Sequence, residues 1–319
     1  MKRTQILSVL GLLLLAATPA MAQNDECAAY PGNAGNVCNA SVDATKYFHP
    51  LVGLAISGGN PLIGSGRALG GLGHFAIGVR TTVMEAQLPD LSYDGSTPEV
   101  PAGEKVPVGA PTIDAAMGLF NGFGSGLLAI DLLGSVVAIP TNTIDNFTVD
   151  PDASTLGDFA YKIGWGVRVG ILRGAGPVPA VSVSYSQRST PKMQYGDLNN
   201  PADDYSYAMN VDAVNWRAVA GWHLMMFDVG VGLGLDKYTG DAKIQFRDPS
   251  DASVETINMS LDNQRHTAFA DLGVNFGPLK LGLEGGWQGP GDTDISTDFE
   301  DIDLDAGNYF GSVGLRIQF

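Results

Sequence analysis

Charged side chains recur at alternate positions of several apolar segments, and they are the first candidates for chemistry in this sequence. In an extended segment alternate residues share one face, so these charges would line a common surface. Its members are Arg80, Asp114, Asp131, Lys162, Arg168, Arg217, Asp228, Asp236, Asp271, Lys280, Glu284 and Arg316. Buried charges need partners, so the set predicts either an internal salt-bridge network or a polar path that selects solutes by charge.

A second candidate site is a cluster of carboxylates near the end of the chain. Its members are Asp292, Asp294, Asp298, Glu300, Asp301, Asp303 and Asp305. Carboxylates are the preferred ligands of hard cations such as Ca²⁺, although this spacing does not match an EF-hand loop. The cluster predicts either a solvated acidic loop or a divalent-cation site, and no other cofactor is expected.

The two cysteines, Cys27 and Cys38, are close together in the chain and have no neighbouring His or Cys that would suggest zinc. In an oxidising compartment such a pair forms a structural disulfide. Closing a loop of this size stabilises the fold by roughly 3 kcal/mol in the chain-entropy model.

The first residues have the features of a secretory signal peptide. Lys2 and Arg3 form a basic start, residues 6–17 are apolar, and Ala20-Met21-Ala22 is a small-x-small cleavage signal. The apolar run is too short for a bilayer-spanning helix. We therefore expect an exported protein that loses residues 1–22 and has no membrane helix.

From His74 onward, apolar and polar residues alternate with period two. The last segment keeps this alternation to the final residue, with Tyr309 and Phe319 on its apolar face. Chain ends usually fray, and an apolar strand facing water invites aggregation. The pattern instead suits strands with lipid on one face and a lumen on the other. It predicts an all-β fold, a transmembrane antiparallel up-and-down β-barrel formed by residues 74–319.

The connections between these segments alternate between tight turns and long polar loops, as in transmembrane barrels. We count about ten strands, or twelve if residues 47–73 also contribute. The final strand resembles the closing strand of Gram-negative outer-membrane β-barrels, which typically end in Phe. That resemblance implies a bacterial outer-membrane location, contact with lipid and lipopolysaccharide, and recognition of Phe319 by the barrel-assembly machinery.

Residues 23–73 precede the barrel. Residues 23–45 are polar and predict an irregular segment, whereas residues 47–73 are apolar and dense in glycine. The latter could form extra strands, a periplasmic cap or a plug inside the barrel. Asn60-Pro61 is similar to an Asn-Pro element in the N-terminal hatch of outer-membrane fatty-acid and hydrocarbon transporters. We therefore place Asn60 and Pro61 in the plug.

Enzymatic function is not expected. The histidines at positions 49, 74, 223 and 266 are scattered, and the residue two positions after His266 is Ala268 rather than serine. Outer-membrane proteases need an Asp-His couple at the outer rim and phospholipases a Ser-His pair facing lipid, whereas His223 is expected near a periplasmic turn. We name no catalytic residue.

The net charge and the predicted lumen decide which non-enzymatic functions remain. A net charge of −16 argues against nucleic-acid partners. The mixed-charge lumen favours a narrow channel or passive transporter for small solutes. The alternative is a structural or surface-binding barrel whose acidic loops hold divalent cations or partners. The sequence leaves the oligomeric state open.

Overall fold

A computed structural model describes residues 24–124, 127–141, 147–291, 295–302 and 307–319. The predicted signal peptide at residues 1–22 lies outside these ranges. Within them, no helix is long and apolar enough to cross a membrane. The dominant element is a set of long antiparallel strands, as the alternating sequence predicts.

Ten of these strands form the wall. In chain order they are β1 Phe75–Pro89, β2 Ala102–Phe120, β3 Ala129–Pro140, β4 Phe159–Leu172, β5 Ala180–Ser189, β6 Asp212–Leu224, β7 Phe227–Arg247, β8 Val254–Phe276, β9 Leu279–Gln288 and β10 Asn308–Gln318. Six short strands lie in the connections: Glu99–Val100, Phe147–Val149, Thr155–Leu156, Met193–Tyr195, Tyr205–Met209 and Asp298–Phe299.

The wall is a closed ring of sequential neighbours. Each strand pairs antiparallel with the next, and β1 pairs with β10 from Ala76↔Gln318 to Val83↔Gly311. Closure leaves no free sheet edge along the part of the ring where all ten strands are paired. The all-β barrel of ten strands is thus confirmed, and the alternative of twelve is not adopted.

The outer face carries a band of exposed apolar side chains. On β7 this band runs from Phe227 to Leu235, after which Lys237 takes the same face. On the paired strand β8, Phe276 begins the band and Ala268 ends it, because His266 follows on that face. A band of about nine residues is the length that tilted strands need to cross a bilayer. Beyond it, β7 and β8 continue past the membrane at the end with the long loops.

Asn33–Ser57 forms one α-helix, α1, inside the barrel. It contacts the inner faces of β1, β2 and β7. Asn24, just before the helix, donates to Ser296 at the end of the barrel with the long loops, which we call the loop end. At the other end of the helix, Ser57 accepts hydrogen bonds from Arg188 and Asn215 of the wall. The helix therefore enters the lumen from the loop end, and an irregular segment at residues 23–45 was a wrong prediction for residues 33–45.

Burial on all sides explains why this helix has no amphipathic pattern. Leu51, Leu54 and Ile56 are fully buried against wall residues such as Tyr238 and Ile244. A proline in a helix interior removes one backbone bond, yet Pro50 is accommodated here within that packing. The loop-end half of the barrel is consequently filled by an apolar core.

Followed toward the loop end, β2 and β3 stop pairing with each other while they are still within the apolar band. Their ladder runs no further than Thr112↔Val137, and the next residue of β2 is Pro111, which has no N–H to donate. An apolar cavity of about 100 Å³ lies beside this separation, between α1 and the wall, and Phe48 and Val52 form part of its lining.

Candidate functional site

Residues 58–73 connect α1 to β1 and cross the lumen toward the end with the short turns. We call them the plug segment. Unlike α1, this segment has no regular secondary structure. Its backbone groups must therefore find partners elsewhere, and the charged side chains of the wall supply them.

Asn60 is the centre of these contacts and is 1% exposed. Its backbone N–H donates to Glu284 (2.6 Å), and its backbone carbonyl accepts from Arg80 (3.1 Å). Its side-chain amide donates to Asp271 at 2.8 Å, and its Oδ1 accepts from the N–H of Leu62. One asparagine thus bridges three strands of the wall.

Arginines of the wall hold the carbonyl groups where α1 becomes the plug segment. Arg217 donates to the carbonyls of Gly58 (2.7 Å) and Gly59 (2.9 Å) and pairs with Asp236 at 2.6 Å. Arg188 donates to the carbonyl of Ser57 at 3.0 Å and pairs with Asp114 at 3.2 Å.

Carboxylates and a lysine hold the lower part of the plug segment. Asp131 is fully buried; it accepts two bonds from Arg168 and one shared bond from the N–H of Leu69. Asp271 accepts from the N–H of Gly64, whose carbonyl accepts from Lys280 at 2.8 Å. Asp131, Asp271 and Lys280 therefore each bind plug backbone as well as an opposite charge or a polar partner.

Glycines allow the plug segment to approach the wall closely. Gly64 has φ +71°, and a Cβ there would lie 2.8 Å from the Cα of Gly273. A Cβ on Gly66 would lie 2.6 Å from the backbone N of Gly221. Such contacts between backbones are possible only without side chains.

Most of the predicted lumen charges lie on the inner face. Those buried there are Arg80, Asp114, Asp131, Arg168, Arg217, Asp236, Asp271, Lys280, Glu284 and Arg316. Asp228 is partly buried near the short turns, where it contacts Lys280, Asn275 and His223. Lys162 is exposed. It follows the loop-end start of β4 and is not part of the buried network.

Two important lumen residues were missed by the sequence interpretation. Arg188 alternates with Ser182, Ser184 and Ser186 on one face of β5, and this pattern would have predicted an inward arginine. Asn215 donates to Ser57 and to Asp236. A neutral asparagine gave no comparable signal.

At the loop end, Asp43 of α1 anchors the last loop. Its Oδ2 accepts four hydrogen bonds, from the backbone N–H and hydroxyl groups of Ser296 and Thr297. The predicted disulfide between Cys27 and Cys38 is confirmed and ties the start of α1 to the preceding turn.

The acidic cluster is only partly within the described residues. Asp298, Glu300 and Asp301 are exposed beside this anchored loop. The other predicted members, Asp292, Asp294, Asp303 and Asp305, lie outside the described residues. Among the residues that the structure describes, no group of three or more potential ligands is arranged for a metal ion.

A vestibule of about 670 Å³ opens at the short-turn end, below the plug segment. Its lining includes the cationic side chains Arg67, Arg173 and Lys280, with Asp228 as the carboxylate side chain among the described residues. This end of the lumen therefore has a positive lining, in contrast to the acidic loops and to the net charge of the chain.

No protein-family model matches the chain, and no curated protein matches its sequence. Among solved structures, the outer-membrane protease OmpT from Escherichia coli aligns with a TM-score of 0.39 and 13% identity, over 77% of this chain and 96% of that one. The translocator domain of the autotransporter NalP from Neisseria meningitidis aligns with a TM-score of 0.30 and 14% identity, over 87% and 98%. A Pseudomonas aeruginosa FadL homologue aligns with a TM-score of 0.26 and 9% identity, over 77% and 90%.

TM-scores below 0.5 carry no argument about activity, so the assignment rests on the chain's own geometry. Its ten strands close into a ring, and apolar side chains cover the outer face over the thickness of a bilayer. Polar and charged groups face inward along the same stretch. The chain is an integral β-barrel protein of the bacterial outer membrane.

Proposed function

We propose that the barrel is a narrow passive transporter for small solutes, held closed by the plug segment. The observation that carries this proposal is the difference between the two parts of the lumen filling. Helix α1 is held mainly by apolar packing, whereas the plug segment is held mainly by hydrogen bonds from charged side chains, with Leu62 and Leu69 in a small apolar cluster. Water can replace hydrogen bonds but cannot replace apolar packing.

The plug segment is therefore the part of the filling that can move while the barrel stays folded. The vestibule below it gives the segment room and gives solutes access from the short-turn end. The positive lining of the vestibule favours anionic solutes, because lumen charges select by sign. Opening at the other end additionally requires α1 to shift along the wall.

Single-channel recording on the purified protein in planar bilayers tests this proposal. We expect rare openings in the wild type. In the double variant Asp271→Asn/Glu284→Gln, the plug segment loses charge-assisted hydrogen bonds worth about 1.5–3 kcal/mol each. The probability of opening should then rise at least tenfold, since about 1.4 kcal/mol corresponds to a factor of ten.

The matched control is Asp298→Asn/Asp301→Asn, which removes the same charge from exposed positions. This control should have the same probability of opening as the wild type. Silence in both the wild type and the Asp271→Asn/Glu284→Gln barrel, with circular dichroism showing that both are folded, would refute the transporter.

The alternative function is a surface-binding barrel. Its supporting observation is the loop that Asp43 anchors, where Asp298–Phe299 pairs in parallel with Glu99–Val100. This arrangement presents exposed carboxylates on a fixed loop. Calorimetry with Ca²⁺ and Mg²⁺ tests it: the heat of binding should disappear when the seven carboxylates of the acidic cluster are neutralised, and absence of heat in the wild type excludes the site.

In both proposals the protein is not an enzyme. The histidines do not form one cluster: His49 is buried on α1, His266 is on the outer face, and His74 and His223 line the vestibule, where His223 pairs with Asp228. Outer-membrane lipid, lipopolysaccharide and the barrel-assembly machinery are the expected partners. Recognition of Phe319 by that machinery belongs to this proposal.

A further inference from the structure

Arg316 differs from the other lumen arginines in that its guanidinium group makes no hydrogen bond to any described residue. It lies on β10 and is 7% exposed. Within the part of the chain that the structure describes, none of its three guanidinium nitrogens has a hydrogen-bond partner. An unpaired buried charge is strongly unfavourable. Buried N–H donors also need an acceptor, and the described residues supply none for this guanidinium group.

The neighbours of Arg316 on the wall cannot supply the missing acceptor. Across the β1 ladder it faces Gly78, which has no side chain, and across the β9 ladder it faces Lys280, which is another cation. The carboxylates of the lumen are engaged elsewhere. Asp114 pairs with Arg80 and Arg188, and Asp228 pairs with Lys280.

The remaining nearby carboxylates are also engaged. Asp131 binds Arg168, Asp271 binds Asn60 and Gly64, and Glu284 accepts from Gly59, Asn60 and Ser312. Asp271 and Glu284 form no ion pair among the described residues, but their oxygens already accept hydrogen bonds from the plug segment, and in this arrangement the N–H donors of Arg316 stay unused.

The guanidinium borders a cavity of about 30 Å³ between the plug segment and the wall. A single water needs roughly 10–15 Å³ of such volume, so the cavity can hold an ion somewhat larger than water. Arg80, Lys280 and Arg316 contribute three cations to its lining, and Asp114 contributes one carboxylate. The Nη2 of Arg80 also lacks a hydrogen-bond partner among the described residues.

We propose that this cavity binds a small monovalent anion such as chloride, held by Arg316 and Arg80. The lining is net positive, it offers unused N–H donors from two guanidinium groups, and it has room for a monoatomic ion. Glycines at positions 78, 282 and 314 keep side chains out of the space. The site depends on a closed plug segment and not on whether the barrel conducts, so it stands apart from the transporter proposal.

Crystals of the wild-type protein soaked in bromide test the site without any substitution. We expect an anomalous peak between the guanidinium groups of Arg316 and Arg80. A peak only in the open vestibule beside Arg67 and Arg173, or ordered water alone at Arg316, would overturn the proposal.

Thermal unfolding in detergent gives an independent measurement. At constant ionic strength, replacing gluconate by chloride should raise the Tm of the wild type by several degrees. The variant Arg316→Met should lose this chloride dependence. Arg173→Met, which removes an exposed arginine at the short-turn end, should keep it.

The conservative variant Arg316→Lys keeps the charge and should retain a weakened chloride dependence. It also serves if Arg316→Met fails to fold. A Tm of the wild type that is the same in chloride and gluconate would contradict the proposal.

Discussion

Single side chains in this lumen serve both the wall and its filling. Arg217 binds Asp236 and two plug carbonyls, and Asp131 binds Arg168 and the backbone of Leu69. Removing one of these groups leaves a buried charge and a backbone group unpaired together. Losses of about 3–5 kcal/mol are typical when one partner of a buried ion pair is removed. Conservative substitutions such as Asp→Asn are therefore the informative ones in this region.

His49 gives the protein a pH dependence that originates on α1. It lies next to Gly240, on the part of β7 beyond the apolar band. Burial lowers its pKa from 6.5 to about 4, and the interaction of the ring N–H with the Thr239 backbone, which favours the protonated form, opposes this only in part. The unfolded chain therefore binds a proton between these pH values that the folded chain does not.

The free energy of unfolding should consequently fall as the pH is lowered from 6.5 to 4. Denaturant unfolding of the wild type and of His49→Met across this range measures the contribution. The variant should show a shallower decline, because the non-titrating side chain removes this difference in proton binding. His266→Gln, at an exposed position on the outer face, should decline like the wild type; equal slopes in the wild type and His49→Met would refute the assignment.

At the scale of elements, the plug segment and α1 differ in what fixes them. The backbone of α1 satisfies its own hydrogen bonds, whereas the plug segment depends on the wall and on close backbone contacts. Gly64 is one such contact, with a positive φ and Gly273 directly opposite. A side chain there costs about 1–2 kcal/mol from the left-handed backbone alone.

Gly64→Ala should therefore loosen the plug segment and leave the barrel wall intact. Hydrogen exchange followed by mass spectrometry should show faster exchange of residues 58–73 and unchanged exchange of β7 and β8. Gly285→Ala is the matched control, since nothing lies within 4 Å of a Cβ at that position. Identical exchange in the two variants would show that this close approach does not hold the plug segment.

The strands could be predicted from sequence because their information is local. In β4, for instance, Ile163 and Trp165 alternate with glycines at 164 and 166 and with Arg168, and the alternation follows directly from lipid on one side and lumen on the other. Helix α1 could not be recognised in the same way. Its first half is polar, its second half is apolar and contains Pro50 and Gly53, and both halves are buried, so neither a period of 3.6 nor helix propensity marks it.

Which plug residue binds which wall residue could not be predicted from local sequence. Asn60 and Asp271 are 211 positions apart, and the bond between them depends on where a segment without regular structure crosses a closed ring. That Asp271 faces the lumen could be predicted from the alternation of apolar and polar residues, but its partner Asn60 could not. The same holds for Arg316: its lack of a hydrogen-bond partner among the described residues depends on how the plug segment and the wall are arranged around it.

At the scale of the whole molecule, stability depends on the match between the apolar band and the bilayer. Val231 lies at the middle of the band on β7 and is exposed on the outer face. Val231→Arg should lower the free energy of unfolding from phospholipid vesicles by about 2–4 kcal/mol, as expected for a cation at the bilayer midplane. Thr239→Arg, on the same strand beyond the band, should cost about 0–1 kcal/mol. Equal costs at the two positions would contradict the membrane boundary drawn here.

The position of α1 also determines the order in which the molecule can be assembled. Asn24 lies beside the loop end, Phe75 begins the wall at the opposite end, and the ring of ten strands surrounds what lies between. A closed ring has no side entrance for a helix of 25 residues, and the finished lumen has no room for one to thread through. Residues 24–73 must therefore be in place before β1 and β10 pair. We therefore expect the pairing of the first and last strands to be the final step of assembly, with the wall closing around α1.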